Sequence, residues 1–192
     1  MNSYKLSIAY DGTNYYGFQK QKNKPTIQGK LEEALNVLLD SYELNYSGRT
    51  DAGVHAKSQI VNIKTAFVLD SKKINSLNKI LGDSISINSF KVVSDNFHAR
   101  YGATERTYKY LVRDSKSNYP HLNKNTYQYH SLLNLDDLNK VAKLFVGEYD
   151  FSSFAKIEKF NNPRRSILSS KWTKKNEIYE YTIIANSFLR NM

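Results

Sequence analysis

The order in which the hydrophobic period changes along the chain constrains its fold more than any other feature. Residues 4–10 read as a strand that ends in the turn-forming pair Asp11-Gly12. The period then lengthens. Ile27, Leu31, Ala34, Leu35, Leu38 and Leu39 fall on one face of a helix over residues 27–39, with Thr26 placed to cap it. Short strands fit 42–46 and 59–64, separated by a loop bracketed by Gly48 and Gly53. A second helix fits 72–81, with Ser71 as N-cap and Gly82 just past its end, and a further strand fits 85–93. The resulting order is β-α-β-β-α-β.

That order is the split βαβ, ferredoxin-like arrangement, in which two helices pack on one face of an antiparallel sheet. The other face is then open to a ligand. RNA-recognition modules share the topology, yet topology alone assigns no function. In the second half, strands fit 106–113, 126–130, 166–173 and 178–185. A helix fits 136–146: Asn134 lies near its start, Asp136 and Asp137 suit the positive end of its dipole, and Gly147 suits its exit. Leu138, Val141, Ala142 and Phe145 form its expected buried stripe, each large side chain contributing roughly 1.5–3 kcal/mol. Asn186-Ser187 reads as another helix start, capped by Ser187, and a continuation past Met192 is expected. The expected fold is α/β (α+β) in two domains, 1–100 and 101–192, as two ferredoxin-like or RRM-like halves, each an antiparallel sheet with helices on one face.

Composition narrows the partners. Lys+Arg 28 against Asp+Glu 18 leaves a formal charge of +10, which favours a polyanion because each neutralised phosphate releases counterions. Fifteen tyrosines supply rings on which bases can stack, although Lys, Asn, Ile and Tyr are also what an AT-rich genome encodes. The absence of cysteine excludes disulfides, cysteine–zinc sites, iron–sulfur clusters and thiol nucleophiles, and fits a cytoplasmic protein. No run approaches the ~20 apolar residues of a membrane helix, and the N-terminus lacks a basic-then-apolar signal pattern.

The densest polar cluster is Gly48-Arg49-Thr50-Asp51-Ala52-Gly53-Val54-His55-Ala56, a cation, a hydroxyl and a carboxylate in a loop between strands. A carboxylate there can serve as nucleophile, base or metal ligand, or it can simply accept backbone hydrogen bonds in a tight turn. Asp51 and His55 have a helical ligand spacing but no third clustered ligand. No Gly-x-Ser-x-Gly motif and no Walker loop occur.

This loop resembles the active-site motif of the tRNA pseudouridine synthase A family. Four further stretches resemble that family in order. They are Tyr10-Asp11-Gly12-Thr13-Asn14-Tyr15-Tyr16-Gly17-Phe18-Gln19-Lys20-Gln21, Phe97-His98-Ala99-Arg100-Tyr101-Gly102-Ala103-Thr104 with Arg106-Thr107-Tyr108-Lys109-Tyr110, Gly147-Glu148-Tyr149-Asp150-Phe151-Ser152-Ser153-Phe154, and Asn186-Ser187-Phe188-Leu189-Arg190-Asn191-Met192. The resemblance implies the pseudouridine synthase fold and conversion of uridine to pseudouridine in the tRNA anticodon stem-loop, without cofactor or metal, by a homodimer. It places the catalytic aspartate at Asp51, acting as nucleophile or as base at the sugar. Arg49 then lies near Asp51 and the RNA; a cation at about 4 Å contributes roughly 4 kcal/mol at an effective dielectric near 20. Tyr108 falls on the tyrosine that stacks on the target base. Arg100, Arg106, Arg164 and Arg165 are candidate phosphate contacts. His55 and His98 receive packing or hydrogen-bonding roles.

Two departures accompany the resemblance. The family's last motif has an arginine two residues beyond the position of Met192 that pairs with the aspartate, a position Arg190 does not occupy. Ile80-Leu81-Gly82-Asp83 lacks the family's usual proline. Two other functions fit the residues: an RNA-binding module of the same fold with impaired catalysis, and a metal-dependent phosphodiesterase using Asp51 and His55.

Overall fold

In the computed structural model, which describes residues 1–156 and 162–192, strand β1 (Asn2–Tyr10) turns Tyr4, Leu6, Ile8 and Tyr10 toward one face, where all four are buried. Helices α1 (Ile27–Leu38) and α2 (Ser71–Leu81) bring Ile27, Leu31, Ala34 and Leu35, and Ile74, Leu77 and Leu81, into the same cluster. With β2 (Glu43–Tyr46), β3 (Ala56–Thr65) and β4 (Ile85–Val93) they form a four-stranded antiparallel sheet in the order β2-β3-β1-β4, covered on one face by both helices. This is the split βαβ order read from the hydrophobic pattern. It occupies a compact unit, Met1–Ala103.

Two local expectations change in this unit. The N-cap of α2 is Asp70, not Ser71: the Asp70 carboxylate accepts a hydrogen bond from the Lys73 amide at 2.8 Å. An ionised acceptor suits the positive end of the helix dipole better than a hydroxyl. The second change concerns the sheet face away from the helices, which is not open at its centre. Asn62 is buried there and its side-chain oxygen accepts the Ala99 amide at 2.8 Å, while the Lys5 ammonium lies 5.8 Å from the Phe97 ring. The segment after β4 lies on that face, because the buried Asn62 carbonyl needs a donor and Ala99 supplies it.

The second unit, Thr104–Met192, holds β5 (Arg106–Asp114), β6 (Tyr127–Tyr129), α3 (Leu135–Lys143), β7 (Gly147–Asp150), β8 (Arg164–Lys175) and β9 (Ile178–Ala185). Its five strands run in the order β6-β5-β9-β8-β7. The sheet is mixed rather than antiparallel, since β5 and β6 pair in parallel. A parallel pair needs a connection of a dozen or more residues, and 115–126, which contains a short 3-10 turn, provides it. Among the described residues this unit carries one α-helix, not two.

Helix α3 starts where expected: the Asn134 side chain accepts from the Asp136 and Asp137 amides. It ends earlier than 146, because Leu144, Phe145 and Val146 bond to the carbonyls three residues back and tighten into a 3-10 turn. Val141 is 56% exposed and is not part of a buried stripe, whereas Ala142 is buried. Position 141 lies off the side that faces β8, to which Asn139 is tied: its amide group donates to the Trp172 carbonyl and accepts from the Trp172 amide. No helix begins at Asn186-Ser187. The Asn186 side-chain oxygen accepts from the Ser187 and Ser166 amides, and Phe188, Leu189 and Met192 pack on Phe151, Ile167 and Ala185 instead. Strand β7, not anticipated from the sequence, forms because Gly147 to Asp150 pair with β8.

Candidate active site

The loop that carries Asp51 is held by the strands that bracket it and by the chain segment after β1. At its start the Ser47 amide bonds the Ile60 carbonyl, and the Gln59 side chain donates to the Gly48 carbonyl at 2.6 Å. At Thr50 the carbonyl accepts from the Phe18 amide at 3.0 Å and the hydroxyl bonds the Tyr10 hydroxyl at 2.9 Å. Beyond Asp51 the Gly53 amide donates to the Tyr15 carbonyl, and the Val54 amide closes a turn onto the Asp51 carbonyl. The Gly12 amide donates to His55 Nδ1, which also lies 3.1 Å from an Asp11 carboxylate oxygen.

Glycine is required where the two loops meet. A Cβ on Gly12 would overlap the Val54 carbonyl oxygen. At Gly17, with φ of +93°, a Cβ would come within 2.7 Å of the Thr50 oxygen. The result is a rigid base under an exposed tip: Arg49 and Asp51 both reach solvent, while Thr50 between them is partly buried. A carboxylate on such a loop meets a ligand without first being ordered, which is the preorganisation a reacting group needs.

The sequence-derived residues fall into two sets. Asp51, Arg49 and Arg100 belong to the first unit, with Arg100 exposed and its guanidinium 5.9 Å from the exposed Tyr101 ring. Tyr108, Arg106, Arg164 and Arg165 belong to the second unit and gather at one end of its sheet, because Arg106 pairs with Ala185 and Ala185 with Ile167. Tyr108 is 38% exposed and meets the Phe188 ring edge-on at 4.8 Å. The Arg106 guanidinium donates to the Asn186 carbonyl at 2.7 Å.

Arg164 pairs with Glu148 at 3.1 Å, both exposed. Arg165 donates to the carbonyls of Asn162 and Arg164, and burial lowers the pKa of its guanidinium. His55 has the local hydrogen-bonding role expected of it. His98 lies with its ring 4.4 Å from Tyr101, and its Nδ1 accepts the Arg100 amide. Among the described residues no group of three or more His, Asp or Glu is placed to hold a metal ion. No described helix is long and apolar enough to cross a membrane.

Two features of the site escaped a reading of the sequence. The Tyr10 hydroxyl contact with Thr50 joins residues forty positions apart, and the row Tyr4, Leu6, Ile8 and Tyr10 carries no signal that its last hydroxyl reaches the loop. The contact between Tyr108 and Phe188 depends on the turn after β9, which the capping residue Ser187 marked as a helix start.

A carboxylate on a preorganised loop set on a split βαβ unit is followed in the chain by a strand carrying an exposed tyrosine. The sequence profile of the tRNA pseudouridine synthase family matches residues 6–102 and 141–192, and the chain belongs to that family. It is an isomerase of tRNA uridine. The chain is 40% identical over 195 residues to the tRNA pseudouridine synthase A of Caldicellulosiruptor bescii, covering 100% of this chain and 80% of that protein. It is 40% identical over 197 residues to the same-named protein of Dictyoglomus thermophilum, and 36% over 195 to that of Borrelia hermsii, with the same coverage of each chain.

Proposed function

We propose that Asp51 is the catalytic carboxylate of this isomerase, that Arg49 attends it, and that Tyr108 holds the target base. The substrate uridines lie in the anticodon stem-loop, and the working form is a cytoplasmic homodimer. The observation that carries the reading is the exposure of Asp51 at the tip of a loop fixed at Gly48, Thr50 and Gly53.

The chemistry follows from what such a group can do. The target nucleotide leaves its stack so that its glycosidic bond becomes accessible. The bond from C1′ to N1 breaks, the detached uracil turns, and C1′ bonds to C5. The proton on C5 is lost and N1 gains one, so atoms and electrons balance without an oxidant or reductant. Asp51 acts at the sugar, either by bonding to it or by removing a proton. A tyrosine face stacked on the base contributes about 1–3 kcal/mol while the base turns.

Arg49 and Arg100 are exposed, where phosphates can reach them. Arg106, Arg164 and Arg165 complete the proposed RNA contacts, and Arg164 exchanges Glu148 for phosphate when RNA binds. Contacts of this kind weaken steeply with salt. The test is Asp51→Ala. Release of tritium from C5-labelled uridine in tRNA falls to background, while tRNA affinity stays within about a few-fold of the parent. Turnover retained in that variant removes Asp51 from the mechanism.

A further inference from the structure

We infer that Tyr10 is a positioning residue for the reaction, acting through its hydroxyl on Thr50. This rests on the reading of Asp51 as the catalytic carboxylate. Tyr10 ends β1 on the face that packs under the helices, in register with Tyr4, Leu6 and Ile8. It is 5% exposed, and its ring lies 6.1 Å from that of Phe18. A phenylalanine would fill this place equally well and would remove a hydroxyl that must otherwise find a partner. The hydroxyl has one: Thr50 Oγ1 at 2.9 Å.

Thr50 immediately precedes Asp51 and is gripped on two sides, by Tyr10 at its side chain and by the Phe18 amide at its carbonyl. Phe18 is itself fully buried, with its ring 4.8 Å from Tyr46. Both grips therefore originate in the packed core, and both end on the residue next to the reacting carboxylate. Rotation of Thr50 about its backbone would swing Asp51 at the exposed tip. A displacement of about 1 Å at a reacting group is enough to lower a rate by around a hundredfold. The hydroxyl pair opposes that rotation without touching the RNA.

The experiment compares Tyr10→Phe, Thr50→Val, their double variant and Thr50→Ser in the full chain, with Asp51→Ala alongside. Tyr10→Phe and Thr50→Val each lower kcat by about ten- to a hundredfold and leave KM within about twofold. The double variant is no slower than the worse single one, because both remove the same contact. Thr50→Ser, which keeps a hydroxyl, recovers most of the rate. Circular dichroism and melting verify that the variants are folded. If Tyr10→Phe melts lower but turns over at the parental rate, or if the two losses multiply, the positioning role is overturned. Asp51→Ala separates the two readings. If it is inactive while Tyr10→Phe is unaffected, only this inference fails; if it is active, the catalytic reading fails with it.

Discussion

The two units differ in how completely they cover their sheets. In the first, two helices close over a row of Tyr4, Leu6, Ile8 and Tyr10, and the cluster continues through Phe18 to the base of the Asp51 loop. In the second, α3 is tied to the edge of β8, and Leu132, Leu144 and Tyr110 stand exposed. The same kind of amphipathic sequence is thus buried in one unit and left at the surface in the other. A helical stripe is a capacity to be buried, and burial follows only where a second layer lies opposite. The loop that carries Asp51 belongs to the unit whose core is closed.

The contrast can be tested by truncating equivalent apolar side chains. Leu6→Ala, in the middle of β1, is expected to destabilise by about 3–5 kcal/mol. Val141→Ala, on the open side of α3, should change stability by no more than about 0.5 kcal/mol. Urea unfolding followed by circular dichroism measures the first. Fluorescence of Trp172, the one tryptophan and a residue of β8, reports on the second unit. A loss at Val141 comparable with that at Leu6 would mean that the second unit buries this face.

A smaller and more even effect is expected at the two asparagines that tie helices to strand edges. Asn78 of α2 exchanges hydrogen bonds with the amide and carbonyl of Ile87, as Asn139 of α3 does with Trp172. Alanine at either site leaves a strand amide and carbonyl unpaired and costs about 1–3 kcal/mol. Similar losses in the two units would show that this tether works independently of how well the sheet is covered. A loss confined to the first unit would tie its value to burial.

The smallest expected effect separates two helix caps within the first unit. The hydrogen bond from the Lys73 amide holds the Asp70 carboxyl below its ordinary pKa. A carboxyl shifted downward on folding stabilises fully above its unfolded pKa, and the contribution disappears as pH falls through the folded one. Asp70→Ala should therefore lower the melting temperature near neutral pH and lose that effect in strong acid. Thr26→Ala, at a cap without a titrating group, should lower it by a similar amount at both. A pH-independent loss at Asp70 would show that ionisation does not matter to its cap.

The first unit was legible because its elements are local and its periods clean. Ile27, Leu31, Ala34 and Leu35 recur at helical spacing, and β1 alternates into its core. The candidate site was legible as a motif, Arg49-Thr50-Asp51, but not as a geometry. What sequence could not show were pairings between distant residues: the parallel contact of β5 with β6, Asn62 with Ala99, Tyr10 with Thr50. The turn at Asn186 belongs with these, since its side chain accepts from the Ser166 amide twenty positions away.

By itself the sequence determined which residues can react, that the chain is basic, and the order of strands and helices in its first half. These follow from side-chain chemistry and from periods of a few residues. Only the tertiary structure decided which apolar stripes are covered, which sheet is mixed, and how firmly the loop around Asp51 is held. Those outcomes are set by contacts between residues far apart in the chain, where the partner that satisfies a buried group is chosen by packing.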